Sequence, residues 1–171
     1  KMRAEFLVLV VIAIVCLPFA SGENDYAQAE AEFTLQWEVD FGEVYISTQP
    51  VSSDRAIFVR TSTSSLSQGV PSVYSLNFAG DENWRVQNFN STFQDMAPLE
   101  FVESGIGDCG TWPDMLLVGW SDGLFQALNA NTGAVVWQYQ TQINSWGITG
   151  QMFVESETVT LPTRLGVDKL C

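Results

Sequence analysis

From residue 34 onward, short apolar runs alternate with turn-forming residues, and the runs recur in a fixed order. The richest are Ala56-Ile57-Phe58-Val59-Arg60-Thr61, Met115-Leu116-Leu117-Val118-Gly119-Trp120 and Thr158-Val159-Thr160-Leu161-Pro162-Thr163. Each is followed by a second run: Val73-Tyr74-Ser75-Leu76, Leu124-Phe125-Gln126-Ala127-Leu128 and Val167-Asp168-Lys169-Leu170. Short runs rich in β-branched and aromatic residues, bounded by Gly, Asn, Asp and Ser, read as strands. No segment sustains the 3.6-residue period of an amphipathic helix. The pattern predicts an all-β protein.

Tryptophan sets the period. Trp37, Trp84 and Trp137 are separated by 47 and 53 residues. Behind each, at near-constant distance, comes an aromatic (Tyr45, Phe93, Trp146), expected to pack between units. Pro50, Pro98 and Gln151 then mark where a new first strand starts, and Pro is tolerated at a strand's first residue because no ladder donor is needed there. Each unit thus holds four strands: one after Pro50, Pro98 or Gln151, the β-branched run, the run ending in Leu, and the Trp strand. Ser121-Asp122-Gly123 turns the second strand into the third. Ala79-Gly80 and Thr132-Gly133 supply the flexible residue between the third and fourth. Four-stranded antiparallel units at a period of roughly 40–55 residues predict the blades of a β-propeller. On this reading residues 34–171 hold the end of one blade, two full blades and most of a third. A partial propeller leaves open blade faces and unpaired edges, so the missing blades of a longer chain are expected partners.

The segment Ala127-Leu128-Asn129-Ala130-Asn131-Thr132-Gly133-Ala134-Val135-Val136-Trp137 resembles the tryptophan-docking motif of pyrroloquinoline-quinone-type repeats, A-x-D-x-x-T-G-x-x-x-W. Ala127, Thr132, Gly133 and Trp137 fit, and Asn129 stands where the family has Asp. Ser75, Asn77, Gly80 and Trp84 form a degenerate copy, one residue short, with Ala79 in place of Thr. The resemblance covers about residues 34–171. It implies a propeller of seven or eight blades, of which two branches exist. One contains quinoprotein dehydrogenases that use pyrroloquinoline quinone and Ca²⁺. The other contains non-catalytic scaffolds, such as an outer-membrane assembly lipoprotein of bacteria. Family alcohol dehydrogenases carry a vicinal Cys pair over the quinone, and none occurs here. The resemblance therefore implies a protein-interaction or envelope scaffold with no catalytic, cofactor or metal residues. A fragment of an extracellular quinoprotein dehydrogenase is the alternative.

The N-terminus carries different information. Lys1 and Arg3 precede an apolar run from Phe6 to Ala20, and Ala20-Ser21-Gly22 offers small residues for cleavage. This is the layout of a secretory signal peptide over residues 1–22, with an uncleaved anchor as the rival. Residues 23–33 read as a polar leader. Secretion, or display on the outer face of the cell membrane, is the expected location. Val15 before Cys16 is too bulky for a lipoprotein site.

Charge and composition narrow the function classes. The formal net charge is −13, which repels phosphate backbones and excludes nucleic acid as a partner. The chain has no His, so neither a Ser-His-Asp set nor an ordinary zinc site can form. Cys109 and Cys171 could pair in an oxidising compartment, or stay apart. Asp108, Asp114 and Asp122 are too scattered for a Ca²⁺ loop. Asn90-Ser91-Thr92 is a possible glycan acceptor. The insert from Glu103 to Asp114, with Trp112-Pro113, is absent from the preceding unit and reads as the loop where individuality would lie.

Overall fold

Residues that read as β runs form three consecutive antiparallel sheets. The computed structural model describes residues 34–64, 68–91, 95–108, 110–142, 146–155, 157–163 and the backbone of 166–170. Leu35–Cys171 is one compact unit. The signal and leader segments, Cys16, Phe93, Cys109 and Cys171 lie outside the described residues. All regular structure among the described residues is strand.

The first sheet contains β1 (Tyr45–Ile46), β2 (Val51–Ser52), β3 (Ile57–Ser62), β4 (Ser72–Leu76) and β5 (Glu82–Gln87). Its order is β1-β3-β4-β5, and β2 shares the β3 edge with β1. Strand β2 begins directly after Pro50. Strands β3 and β4 are buried at every position, as strands covered on both faces must be. Strand β5 is the solvated outer edge, with only Trp84 and Val86 turned inward.

The second sheet repeats the plan with β6 (Glu100–Val102), β9 (Met115–Gly119), β10 (Leu124–Asn129) and β11 (Val135–Gln140), in the order β6-β9-β10-β11. Register makes the equivalence firm. Ile57 faces Leu76 as Leu116 faces Leu128, and Ser75 faces Trp84 as Ala127 faces Trp137. Both third strands carry a register shift one step later, at Ser75/Leu76 and at Ala127/Leu128. The third sheet has β12 (Phe153–Glu155), β13 (Thr158–Thr163) and β14 (Gly166–Leu170), with Val159 facing Leu170 in the same register.

Three apolar clusters stack these sheets in sequence. Trp37, Val39 and Phe41 pack on Ile57, Val59, Tyr74 and Leu76 of the first sheet. Phe58, Val73 and Trp84 meet Leu116, Val118 and Trp120 between the first and second. Leu117, Phe125 and Trp137 meet Met152, Val159 and Leu161 between the second and third. Burying such side chains contributes about 25 cal/mol per Å² of apolar surface, and no sheet could bury both faces alone.

Three expectations need correction. Trp37 does not sit in a ladder: residues 34–40 form no strand among the described residues, although the indole docks on the first sheet. The insert Glu103–Asp114 is not an open loop but a hairpin of β7 (Gly105–Gly107) and β8 (Gly110–Trp112). Trp112 folds back over Gly105 and donates its indole N–H to Glu103 O at 2.9 Å, which pins the hairpin base. Finally, Tyr45 and Trp146 are not buried between blades: they are 43% and 46% exposed, Tyr45 on the edge strand β1 and Trp146 in a connector.

Candidate functional site

The repeat residues come together at the sheet junctions. Trp84 reaches from β5 and donates its indole N–H to Ala130 O at 2.9 Å. A side chain on Gly133 would meet the Trp84 ring at 2.8 Å, so only glycine lets the turn lie on the indole. Gly133 also has φ of 71°, a left-handed value that disfavours a Cβ. Trp37 does the same one step earlier. Its N–H bonds Phe78 O at 3.0 Å and its ring covers Gly80, whose φ is 91°.

Asn77 and Asn129 build the two turns. Asn77 Oδ1 accepts the N–H groups of Ala79 and Asp81, both at 2.9 Å. Asn129 Oδ1 accepts those of Asn131 and Thr132 at 3.0 and 3.1 Å. A side-chain carbonyl suffices for this task, so Asn can stand where the related repeats have Asp. Thr132 Oγ1 accepts the Ala134 N–H at 3.3 Å. Ser75 Oγ accepts from Asn83 at 3.2 Å. Ala127 is fully buried against Trp137 across the ladder.

A polar cluster that sequence reasoning missed lies at the first junction. Arg60 on β3 is fully buried and pairs with the equally buried Asp95 at 3.1 Å. Its second amino group donates to Ala97 O at 3.1 Å, and its guanidinium carbon lies 4.9 Å from the Trp120 ring centre. Asp95 Oδ1 also accepts the Ser121 N–H at 2.7 Å, and Oδ2 accepts the Ser91 hydroxyl. Ser91 and Ser121 hydroxyls lie 2.6 Å apart. Since Ser91 spends its proton on Asp95, Ser121 is the donor in that pair. Ser62 Oγ accepts the Asp95 N–H at 3.0 Å. Trp120 donates to Gln126 at 2.9 Å.

Burial pushes the Arg60 guanidinium below its ordinary value, and the Asp95 carboxylate opposes that shift. The pair is thus a charge held in a dry site by its counter-charge. Arg60 Nε, Ser47 Oγ and Thr48 Oγ1 have no protein partner among the described residues. One signal in the sequence could have found Arg60: it interrupts a β run whose every other member is apolar or β-branched. Asp95 carries no local signal.

The remaining candidates are dispersed. Asn90 is exposed at a connector turn, where its N–H donates to Asn88 Oδ1 at 3.0 Å, whereas Ser91 of the same sequon is turned into the buried cluster. Asp122 accepts from Asn88 and from the Leu124 N–H. Asp114 accepts the Ser104 N–H at 2.8 Å, and these hydrogen bonds to Ser104 hold its carboxyl below the ordinary range. Among the described residues no three His, Cys, Asp or Glu side chains converge to hold a metal ion.

No family model matches the chain, and no curated protein does. Solved structures of similar fold do exist. BamB from Moraxella catarrhalis is 22% identical with a TM-score of 0.49, over 73% of this chain and 33% of its own. A europium-containing methanol dehydrogenase is 15% identical with a TM-score of 0.53, over 76% and 22%. Quinohemoprotein alcohol dehydrogenase from Comamonas testosteroni is 24% identical with a TM-score of 0.48, over 70% and 17%. The chain therefore spans a third or less of the length of these proteins. The likeness is one of fold: the sheets are blades of a β-propeller, present in part.

Proposed function

We propose that this chain is a section of a non-catalytic β-propeller of the cell envelope, exported by its N-terminal segment, whose loops engage a protein or an envelope polymer. The observation that carries this reading is how the buried charges are used. Every oxygen of Asp95 is consumed by Arg60, Ser121 and Ser91, so the cluster fastens a connector and offers no group to a substrate. Catalytic acids and bases instead need a reachable atom in a cleft. Among the exposed apolar side chains of the described residues, Ile106 on the β7–β8 hairpin reaches furthest, at 84% exposure. An exposed apolar side chain on a pinned hairpin suits macromolecular contact.

The quinoprotein alternative asks for a vicinal Cys pair and converging carboxylates. The described residues of this section supply neither. Fold likeness to dehydrogenases does not choose between the readings, because one fold hosts many functions. A photo-crosslinking residue at position 106, activated in intact cells, tests the proposal. A discrete envelope adduct is expected. No adduct, together with dye reduction by the purified full chain supplied with the quinone and Ca²⁺, would overturn it.

A further inference from the structure

Two strands of the first sheet leave buried polar atoms on one face. Tyr45 pairs with Ser62 and Ile46 with Thr61, and the Ser47 N–H donates to Arg60 O at 3.2 Å. Ser47 therefore stands opposite Arg60. Residues directly opposite in an antiparallel ladder share a face, with Cβ atoms roughly 4.5–5.5 Å apart. Which face follows from the neighbours. Ile46 packs in the cluster of Val59 and Tyr74, so Ser47, one residue on, turns the other way, toward the second sheet. Arg60 points there too, since its guanidinium reaches Asp95, Ala97 and the Trp120 ring. Pairing resumes at Val51, opposite Phe58, so Thr48, Gln49 and Pro50 stand against Val59 alone. A bulge of this kind re-aims side chains. Thr48 Oγ1, like Ser47 Oγ, is buried although each residue as a whole is only half-buried.

Among the described residues, Arg60 Nε, Ser47 Oγ and Thr48 Oγ1 bond no protein group. Buried donors and hydroxyls are nearly always satisfied, and where protein does not reach them an enclosed water does. We propose that a single buried water joins Arg60 Nε, Ser47 Oγ and Thr48 Oγ1 beside the β1–β2 bulge. This goes beyond the scaffold reading and does not depend on it, since either branch of the propeller would fold around the same atoms. The donors and acceptors match. The water oxygen accepts the Arg60 Nε–H, and its two protons go to the two hydroxyl oxygens, which gives the roughly three bonds usual for a buried water. Size excludes a larger ligand, because Arg60 is fully buried and both hydroxyl oxygens are closed to solvent. Charge disfavours an anion. Asp95 already supplies the counter-charge of Arg60, and a second negative ion would stand unpaired in a dry site. The water also lengthens the polar network: it ties the bulge, through Arg60 and Asp95, to Ser91 and Ser121.

A high-resolution crystal structure of the full chain, purified in mild detergent, tests this. An isolated density peak is expected at about 2.7–3.2 Å from all three atoms. Ser47→Ala combined with Thr48→Val removes both hydroxyl partners with little change of shape. In that variant the peak is expected to be lost while Arg60 stays on Asp95. In solution the Arg60 Nε proton is expected to show cross-relaxation with water in the wild type, and to lose that signal in the double variant. No peak in the wild type, a halide identified there by anomalous scattering, or a direct bond from Arg60 Nε to either hydroxyl would overturn the proposal. A peak and a water signal that the double variant keeps unchanged would overturn it equally. Should the variant fail to fold, the wild-type density decides alone.

Discussion

The two sheet junctions share one backbone plan and fill the same position with opposite chemistry. Arg60 stands three residues after Ile57, and Gly119 three after Leu116; those two face Leu76 and Leu128 in identical register. Asp95 follows Trp84, and Ile148 follows Trp137, by 11 residues. At the first junction a buried guanidinium reaches the connector and fastens it to Asp95 and Ala97. At the second, Gly119 leaves room and the fully buried Ile148 occupies it: a side chain on Gly119 would stand 2.3 Å from Ile148 Cγ2. The connector is held either by charge or by hydrocarbon. Replacing a buried ion pair with well-packed apolar residues is often neutral or stabilising, so the pair is no proof of extra stability. What the ion pair adds is direction, since the same carboxylate also accepts the Ser121 N–H and the Ser91 hydroxyl.

That contrast can be broken at several points. The largest effects belong to the first junction. Trp84→Ala removes the indole shared by two sheets and is expected to cost about 3–5 kcal/mol in chemical denaturation. Asp95→Ala strands a buried guanidinium and is expected to cost a similar ~3–5 kcal/mol. Copying the second junction by combining Arg60→Gly with Asp95→Ile sharpens the test. The double variant should lose less than the sum of its singles, because neither charge is left alone. Additive losses would mean that Arg60 and Asp95 act independently.

At the second junction Gly119→Ala should cost about 1–3 kcal/mol by overpacking on Ile148. Ile148→Ala should cost less in that background than in the wild type, because the clash is relieved. The smallest effect concerns the hairpin base. Asp114 has its carboxyl held below the ordinary range, so its contribution is present above that range and fades as pH falls through it. The group is nearly exposed, so the change is small. Protection factors of the β7 and β8 amides, corrected for the intrinsic pH dependence of exchange, should fall on acidification, and Asp114→Asn should remove that fall.

Strand order, turn positions and the Trp spacing were legible in the sequence because they rest on local signals. Gly80 and Gly133 need positive φ, Asn77 and Asn129 bond their own turns, and the apolar runs need two covered faces. The polar cluster was not legible, since Arg60 and Asp95 are 35 residues apart and meet only once two sheets have stacked. The insert at 103–114 was visible as an insertion, but its hairpin was not. Gly105, Gly107 and Gly110 lower strand propensity, and the indole of Trp112 overrides them. Trp37 shows the converse: its docking follows from its own residues, whereas a ladder needs a neighbouring strand that local sequence does not name.

The blades stack through the indole of one lying against the glycine turn of the next. The Gly133 Hα that occupies the side-chain direction points at the Trp84 ring, so its proton resonance is expected far upfield and lost in Trp84→Leu. An ordinary Gly133 Hα shift, unchanged by that substitution, would contradict the stacking of these blades.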